Sequence, residues 1–220
     1  MPAASEPFQD NSLDPRVRGF LHRPASPSGD GLVLTHSAGG NCQSPLLVAV
    51  AEALAESGMT VLRCDLPFRQ MRPHGPPGPG SAERDREGLR QAARALRTIA
   101  PGRSFLGGHS YGGRQATMLA ADDPDAAAAL LLLSYPLHPP RRPTQLRTAH
   151  FPRLHVPALF VQGTRDEFAC VEEITAALQL IPARTQLLVI EGGGHGLAAK
   201  RELSTVAAQV STTFREFVAG

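Results

Sequence analysis

The stretch SFLGGHSYGGRQAT, residues 104–117, sets Ser110 between Gly108 and Gly112, a GxSxG pattern with an apolar run before it and a helix-compatible segment after it. Where a strand turns directly into a helix, the residue at the apex is strained, and only glycine two positions to either side avoids a side-chain clash. Such a turn lifts a hydroxyl out of the sheet and leaves it at a helix N-terminus, where unpaired N–H groups favour developing negative charge. The chemistry that this permits is attack on a carbonyl. The plainer reading is a glycine-rich turn with an ordinary N-cap serine; the strand before and the helix after favour the nucleophile.

A serine hydroxyl needs a base to take its proton, and the base needs a group that fixes its tautomer. Of the eight histidines, His195 follows the last strand-like segment, in EGGGHGL, where glycines let the chain bend back across the sheet edge. A solvated loop histidine is the alternative. The chain order serine, acid, histidine favours the base. The acid should follow an intervening strand: ALLLLSYPL offers no carboxylate, whereas LFVQGTRDEF places Asp166 just after a buried run and a glycine, with Glu167 as its rival one residue on. An oxyanion formed by attack needs two N–H donors. The backbone N–H of Tyr111, next after the nucleophile, supplies one. The small residues of THSAGGN point to Ala38 for the other, with Gly39 as the alternative.

These residues must be held by elements that the apolar periodicity marks out. RVRGFLH alternates like an early strand; GLVLTHS, MTVLRC, SFLGGH, AALLLLSY, VPALFVQG and TQLLVIEG are short, mostly apolar runs. Between them, helical spacing covers Pro45–Ser57, stopping at Gly58, and about 82–100, 111–121, 171–181 and 203–218. Apolar strands alternating with helices imply a parallel sheet covered on both faces, with ligands bound beyond the strands' carboxyl ends. The segments DLPFRQMRPHGPPGPG and YPLHPPRRPTQLRTAHFPRLH read as proline-rich loops, too broken for a large cap, which predicts an open, shallow site for small acyl groups. Arg69, Arg72, His74, Arg147 and His150 lie in those loops. They could draw an anionic group to the rim, although solvated charges and local hydrogen bonds are the preferred reading. His36 and His109, at strand ends, read as buried histidines bonded to backbone.

The chain of 220 residues fits one domain, 15–220, after a polar segment, 1–14. Apolar residues at 42% and charged residues at 19% suit a folded globular protein rather than a disordered chain. The net charge of +2 is mild and the basic residues are dispersed, so nucleic acid is not an expected partner. The three cysteines Cys42, Cys64 and Cys170 lack metal-site or disulfide spacing, which favours a reducing cytoplasm. No leader-like apolar core opens the sequence, and the most apolar run, 126–133, is too short to span a bilayer, so no membrane partner is expected.

The segments LTHSAGGN, DLPFRQMRPHGPP, GGHSYGG, SYPLHPP, LFVQGTRDEF and GGGHG resemble the α/β-hydrolase superfamily, specifically its small cap-less branch of dienelactone-hydrolase-like and KANSL/Tex-type members. The resemblance covers most of the chain after about Asp14. It implies a three-layer α/β/α sandwich with a mostly parallel sheet and a Ser110, Asp166, His195 triad; with His36 and His109 read as buried histidines rather than ligands, no metal is expected, and no cofactor either. Two positions depart from the pattern: dienelactone hydrolases proper use cysteine where Ser110 stands, and the usual HG of the oxyanion loop reads His36-Ser37. The expected activity is hydrolysis of esters or thioesters of small acyl substrates. A non-catalytic interaction subunit, or an acyltransferase or peptidase on the same residues, are the alternatives.

Overall fold

The structure, a computed structural model, describes residues 5–199 and 202–220. Eight strands form one sheet in the order β1-β2-β4-β3-β5-β6-β7-β8. Their ranges are β1 Ser5–Asp10, β2 Val17–His22, β3 Gly31–Thr35, β4 Thr60–Cys64, β5 Ser104–His109, β6 Leu130–Leu133, β7 Ala158–Gly163 and β8 Thr185–Ile190. From β4 to β8 all neighbours run parallel; β1 and β2 are antiparallel additions at one edge.

The helices are α1 Pro45–Glu56, α2 Pro67–Met71, α3 Ser81–Arg97, α4 Tyr111–Asp122, α5 Val171–Leu178 and α6 Leu203–Ala219. Because side chains alternate along a strand, the central strands feed two cores. Val33, Leu106, Leu130 and Leu132 pack with Leu89 of α3, Leu119 of α4 and Ile174 of α5. Leu32, Leu34, Leu131 and Leu133 pack with Leu47 and Leu54 of α1 and Phe214 of α6. This is the three-layer sandwich that was expected. All four residues of β6 are fully buried, which explains its unbroken Leu-Leu-Leu-Leu sequence. Each such side chain contributes about 2 kcal/mol of burial.

Two features differ from the sequence reading, and a third, the loop between β6 and β7, agrees with it but is buried. Residues 5–10 of the polar N-terminal segment form strand β1, mostly exposed and hydrogen-bonded to β2; Phe8 alone of its residues packs against the core, so the strand carries no apolar alternation to betray it. Residues 1–4 of that segment, like Lys200 and Arg201, lie outside the described residues. The first proline-rich loop contains the short helix α2, started by Pro67 at its first turn and held by Asp85, which accepts the Phe68 N–H at 3.0 Å. Between β6 and β7 no α-helix is present among the described residues. Tyr135, Leu137, Phe151 and Leu154 of that loop are buried and cover the sheet there instead.

The parallel arrangement has one functional consequence. The carboxyl ends of β3, β5, β6, β7 and β8 all lie along one rim, so the segments carrying His36, Ser110, Asp166 and His195 meet there.

Candidate active site

Ser110 sits between β5 and α4 with φ 53° and ψ −113°, a left-handed backbone that a serine rarely adopts. Strain of this kind persists only where the surroundings over-determine it. Here the Ser110 N–H donates to Leu133 O at 2.8 Å and its carbonyl accepts the Arg114 N–H at 2.9 Å. The flanking glycines are required by space. A Cβ on Gly108 would lie 2.6 Å from the backbone of Gly112 and of Gly113, and one on Gly112 would lie 2.4 Å from Thr35 Oγ1 and 2.8 Å from His36 O.

The structure brings Ser110, His195 and Asp166 together. Ser110 Oγ is 2.8 Å from His195 Nε2, and His195 Nδ1 is 3.0 and 2.9 Å from the two carboxylate oxygens of Asp166. A carboxylate can only accept, so Nδ1 carries the proton and Nε2 is free to accept from the serine. The Asp166 side chain is fully buried, whereas Glu167, its rival in the sequence, is exposed. Two further bonds fix Asp166: Gln162 Nε2–H donates to Oδ2 at 2.9 Å and the Phe168 N–H donates to Oδ1 at 2.9 Å.

The loop that carries His195 is pinned as well. Gly163 lets it cross β7 closely, since a Cβ there would lie 2.2 Å from Gly193 O. Arg165 N–H donates to that same carbonyl at 2.8 Å. His109 Nε2–H donates to His195 O at 2.7 Å. Burial, with His195 close by, pushes the His109 pKa down to about 4, so the ring stays neutral in this role at ordinary pH. The Phe168 ring stacks on His195 at 4.1 Å between centroids.

The segment after β3 faces the serine across the same cleft. Gly112 N–H donates to His36 O at 3.1 Å, which locks that segment to the first turn of α4. His36 is fully buried and bonded to backbone on both sides: Nδ1–H donates to Ser37 O at 2.8 Å, and Nε2 accepts the Leu66 N–H at 3.0 Å. Its pKa is lowered, chiefly by burial. Arg69, expected among the rim charges, does something else. It is buried and donates to Gly40 O at 2.8 Å, Ala38 O at 2.8 Å, Gly75 O at 2.9 Å and Arg72 O at 3.0 Å. In a trans peptide the N–H points opposite its carbonyl. With Ser37 O held by His36 and by the Gly40 N–H, and Ala38 O held by Arg69, the N–H groups of Ala38 and Gly39 each point away from those anchors. The Tyr111 N–H, at the first position of α4, has no acceptor within its helix. Its side chain is tied down separately, the hydroxyl donating to buried Asp85 at 2.7 Å.

The cleft has a volume of about 420 Å³, and both Ala38 and Gly39 reach it together with Ser110, Tyr111 and His195. Of the five loop residues expected to rim the site, only Arg147 lines it. Arg72 and His74 are exposed elsewhere, and His150 is buried with its Nε2 at 2.8 Å from Thr117 Oγ1. Sequence reasoning missed Arg114, Gln162 and Phe168. For Phe168 a signal existed: an aspartate commonly accepts the N–H two residues on. Among the described residues, no cluster of three or more His, Cys, Asp or Glu could hold a metal ion, and no helix is long and apolar enough to cross a membrane.

Comparison with known proteins agrees with this architecture. A family model described as "Alpha/beta hydrolase domain" matches residues 29–219. Among solved structures, a dienelactone hydrolase from Anabaena variabilis is similar at 20% identity and a TM-score of 0.76, covering 98% of this chain and 99% of that one. A lidless α/β serine hydrolase from Xanthomonas campestris superposes with a TM-score of 0.75 at 18% identity, covering 99% and 96%. An α/β serine hydrolase homologue from Coxiella burnetii gives 0.74 at 19% identity, covering 97% and 98%. The chain belongs to the α/β-hydrolase domain family.

Proposed function

We propose that this α/β hydrolase cleaves ester or thioester bonds of small acyl substrates through an acyl-enzyme. The observation that carries the reading is the unbroken hydrogen-bond chain from Ser110 Oγ through His195 to the buried Asp166 carboxylate, every link of it 3.0 Å or shorter. In the first step Ser110 Oγ bonds to the substrate's carbonyl carbon while His195 Nε2 takes the hydroxyl proton. Asp166 holds the Nδ1–H tautomer and stabilises the imidazolium. The negative charge that develops on the carbonyl oxygen is met by the Tyr111 N–H and the Ala38 N–H. Collapse breaks the bond to the alcohol or thiol, which leaves with the proton from His195. Water then repeats the sequence on the acyl-serine, giving up a proton to His195 and releasing the carboxylic acid.

The short cleft suits small acyl groups, and no step in this sequence calls on a cofactor or metal. A small-molecule acyl substrate, rather than nucleic acid or a membrane, is the proposed partner, and the cytoplasm the proposed compartment. Labelling by a fluorophosphonate probe tests the reading. Wild type should be labelled and Ser110→Ala should not. Labelling that persists in the variant, or is absent from folded wild type, would remove Ser110 from the chemistry.

A further inference from the structure

The buried arginines Arg69 and Arg63 are engaged by the protein itself. Arg69 satisfies four backbone carbonyls, as described above. Buried Arg63 donates from Nε to His22 Nε2 at 2.8 Å and from Nη1 to Cys42 O. Arg114 and Arg147 are different. Both are half-buried, both line the cleft beside Ser110, and neither makes an ion pair among the described residues.

Arg114 lies one helical turn along α4 from the serine, and its Nε is buried with no hydrogen-bond partner. A buried donor without a partner costs stability, and among the unpaired buried side-chain atoms of the described residues this one alone belongs to a residue that lines the cleft. Arg147 is anchored by its backbone, the N–H donating to Leu137 O at 2.8 Å and the carbonyl accepting the Tyr135 hydroxyl at 3.1 Å. Its guanidinium makes one long bond, Nη1 to Pro136 O at 3.3 Å. Burial first and the Arg114 charge second hold the Arg147 pKa below its usual value, which places the two cations within electrostatic reach of one another. Two partly desolvated like charges facing one cleft disfavour each other, and an anion between them reverses that cost. Part of the remaining wall is apolar, formed by Pro76, Pro77, Pro136 and Phe168. In such a setting a guanidinium–carboxylate bond is stronger than in open water.

We propose that Arg114 and Arg147 form an anion subsite, so that the preferred substrate of this site is an ester or thioester bearing a carboxylate; the proposal rests on the serine-hydrolase reading above. The planar fork of arginine suits a carboxylate, and its position a turn away from the nucleophile suits a group a few bonds from the scissile carbonyl.

Three esters test this: phenyl butyrate, neutral; phenyl hemisuccinate, with its carboxylate on the acyl side; and 4-carboxyphenyl butyrate, with its carboxylate on the alcohol side. The readout is the ratio of kcat/KM for an anionic ester to that for the neutral one, taken in wild type, Arg114→Gln, Arg147→Gln and Arg114→Lys. Each glutamine variant should lower the ratio about tenfold for one of the two anionic esters, and Arg114→Lys should lower it less. The ester that responds identifies the side on which the anion lies. Higher salt should narrow the wild-type preference. Ratios that stay put in both glutamine variants overturn the subsite. Calorimetric binding of succinate separates this result from failure of the hydrolase reading. If wild type turns over none of the esters yet binds succinate about tenfold more tightly than Arg114→Gln does, the anion site stands and the catalytic reading falls. Equal binding by both proteins overturns the site whatever the turnover.

Discussion

Gly112→Ala is the most direct test of how the elbow is built. A methyl at this position would stand 2.4 Å from Thr35 Oγ1 and 2.8 Å from His36 O, against the 3.4 Å at which ordinary contact begins. The first shortfall is about an ångström, well up the repulsive wall. Neither neighbour yields easily. Thr35 is fully buried at the end of a central strand, and the His36 carbonyl is backbone that accepts the Gly112 N–H itself. The relief available is for the end of β3 and the start of α4 to part. That movement would carry Ala38 and Gly39 away from Ser110 and Tyr111. Overpacking of this size costs about 1–3 kcal/mol, which in a chain of this length lowers Tm by roughly 5 °C. A misplacement of about an ångström at a reacting centre costs on the order of a hundredfold in rate. The variant should therefore melt a few degrees lower by differential scanning calorimetry and react far more slowly with a fluorophosphonate. Removing the hydroxyl in Thr35→Ala/Gly112→Ala should recover part of the lost stability, since it relieves the shorter contact and leaves the longer one. A Gly112→Ala protein with wild-type melting and wild-type labelling rate would refute the geometric account, as would strict additivity of the two substitutions.

Two further outcomes follow from the same structure. Proline lacks the N–H, so Ala38→Pro should lower kcat about a hundredfold or more while Gly39→Pro lowers it little, in variants shown by melting to be folded; the opposite ranking would transfer the donor to Gly39, and no effect from either would place the second donor outside this loop. Stability should also fall steeply as pH drops from 6.5 towards 4. His22, His109 and His150 are each held neutral in the fold with pKa values pushed down to about 4, burial being the largest cause in all three. A depressed folded pKa means that stability is fully present above the unfolded value of 6.5 and is lost as pH falls through that window, because the unfolded chain takes up protons that the fold refuses. Asp85 acts in the opposite sense, since burial raises its pKa and its contribution is greatest at low pH, but it is one group against these three and His36, whose pKa burial also lowers. Urea midpoints that stay level between pH 6.5 and 4 would contradict these assignments.

The parts of the site that could be read in the sequence are those where local backbone geometry leaves little choice of residue. Ser110 stood out because a strand-to-helix turn demands glycine at 108 and 112, and those demands now appear as backbone atoms less than 3 Å from each absent side chain. His195 and Asp166 followed from chain order and from the strands that end just before them. What could not be read depends on which distant segments pack together. Arg69 lies only a few residues past the end of β4 and looks like any loop charge until the loop after β3 folds over it and offers its carbonyls. Asp85 occupies a polar helix, where an acid normally faces water; it is buried because the Tyr111 hydroxyl and the Phe68 N–H both converge on it. The loop between β6 and β7 lacks helical spacing, yet it buries Tyr135 and Phe151 as a helix would.

These contrasts yield a physical rule for separating scaffold from chemistry in this fold. Around Ser110, the groups that fix geometry have their polar atoms matched by the protein: His36 on both nitrogens, Asp166 by Gln162, Phe168 and His195, and Arg69 by four carbonyls. A strained serine can be kept in a left-handed conformation only in so rigid a frame, because any loosely bonded neighbour would let the turn relax. The donors that face the cleft, the Tyr111 N–H and the guanidinium of Arg114, together with the Arg147 guanidinium and its single long bond, are where the protein has interaction left to offer. Specificity should accordingly reside in side chains that the fold does not need, and it should change under substitutions that leave the elbow untouched.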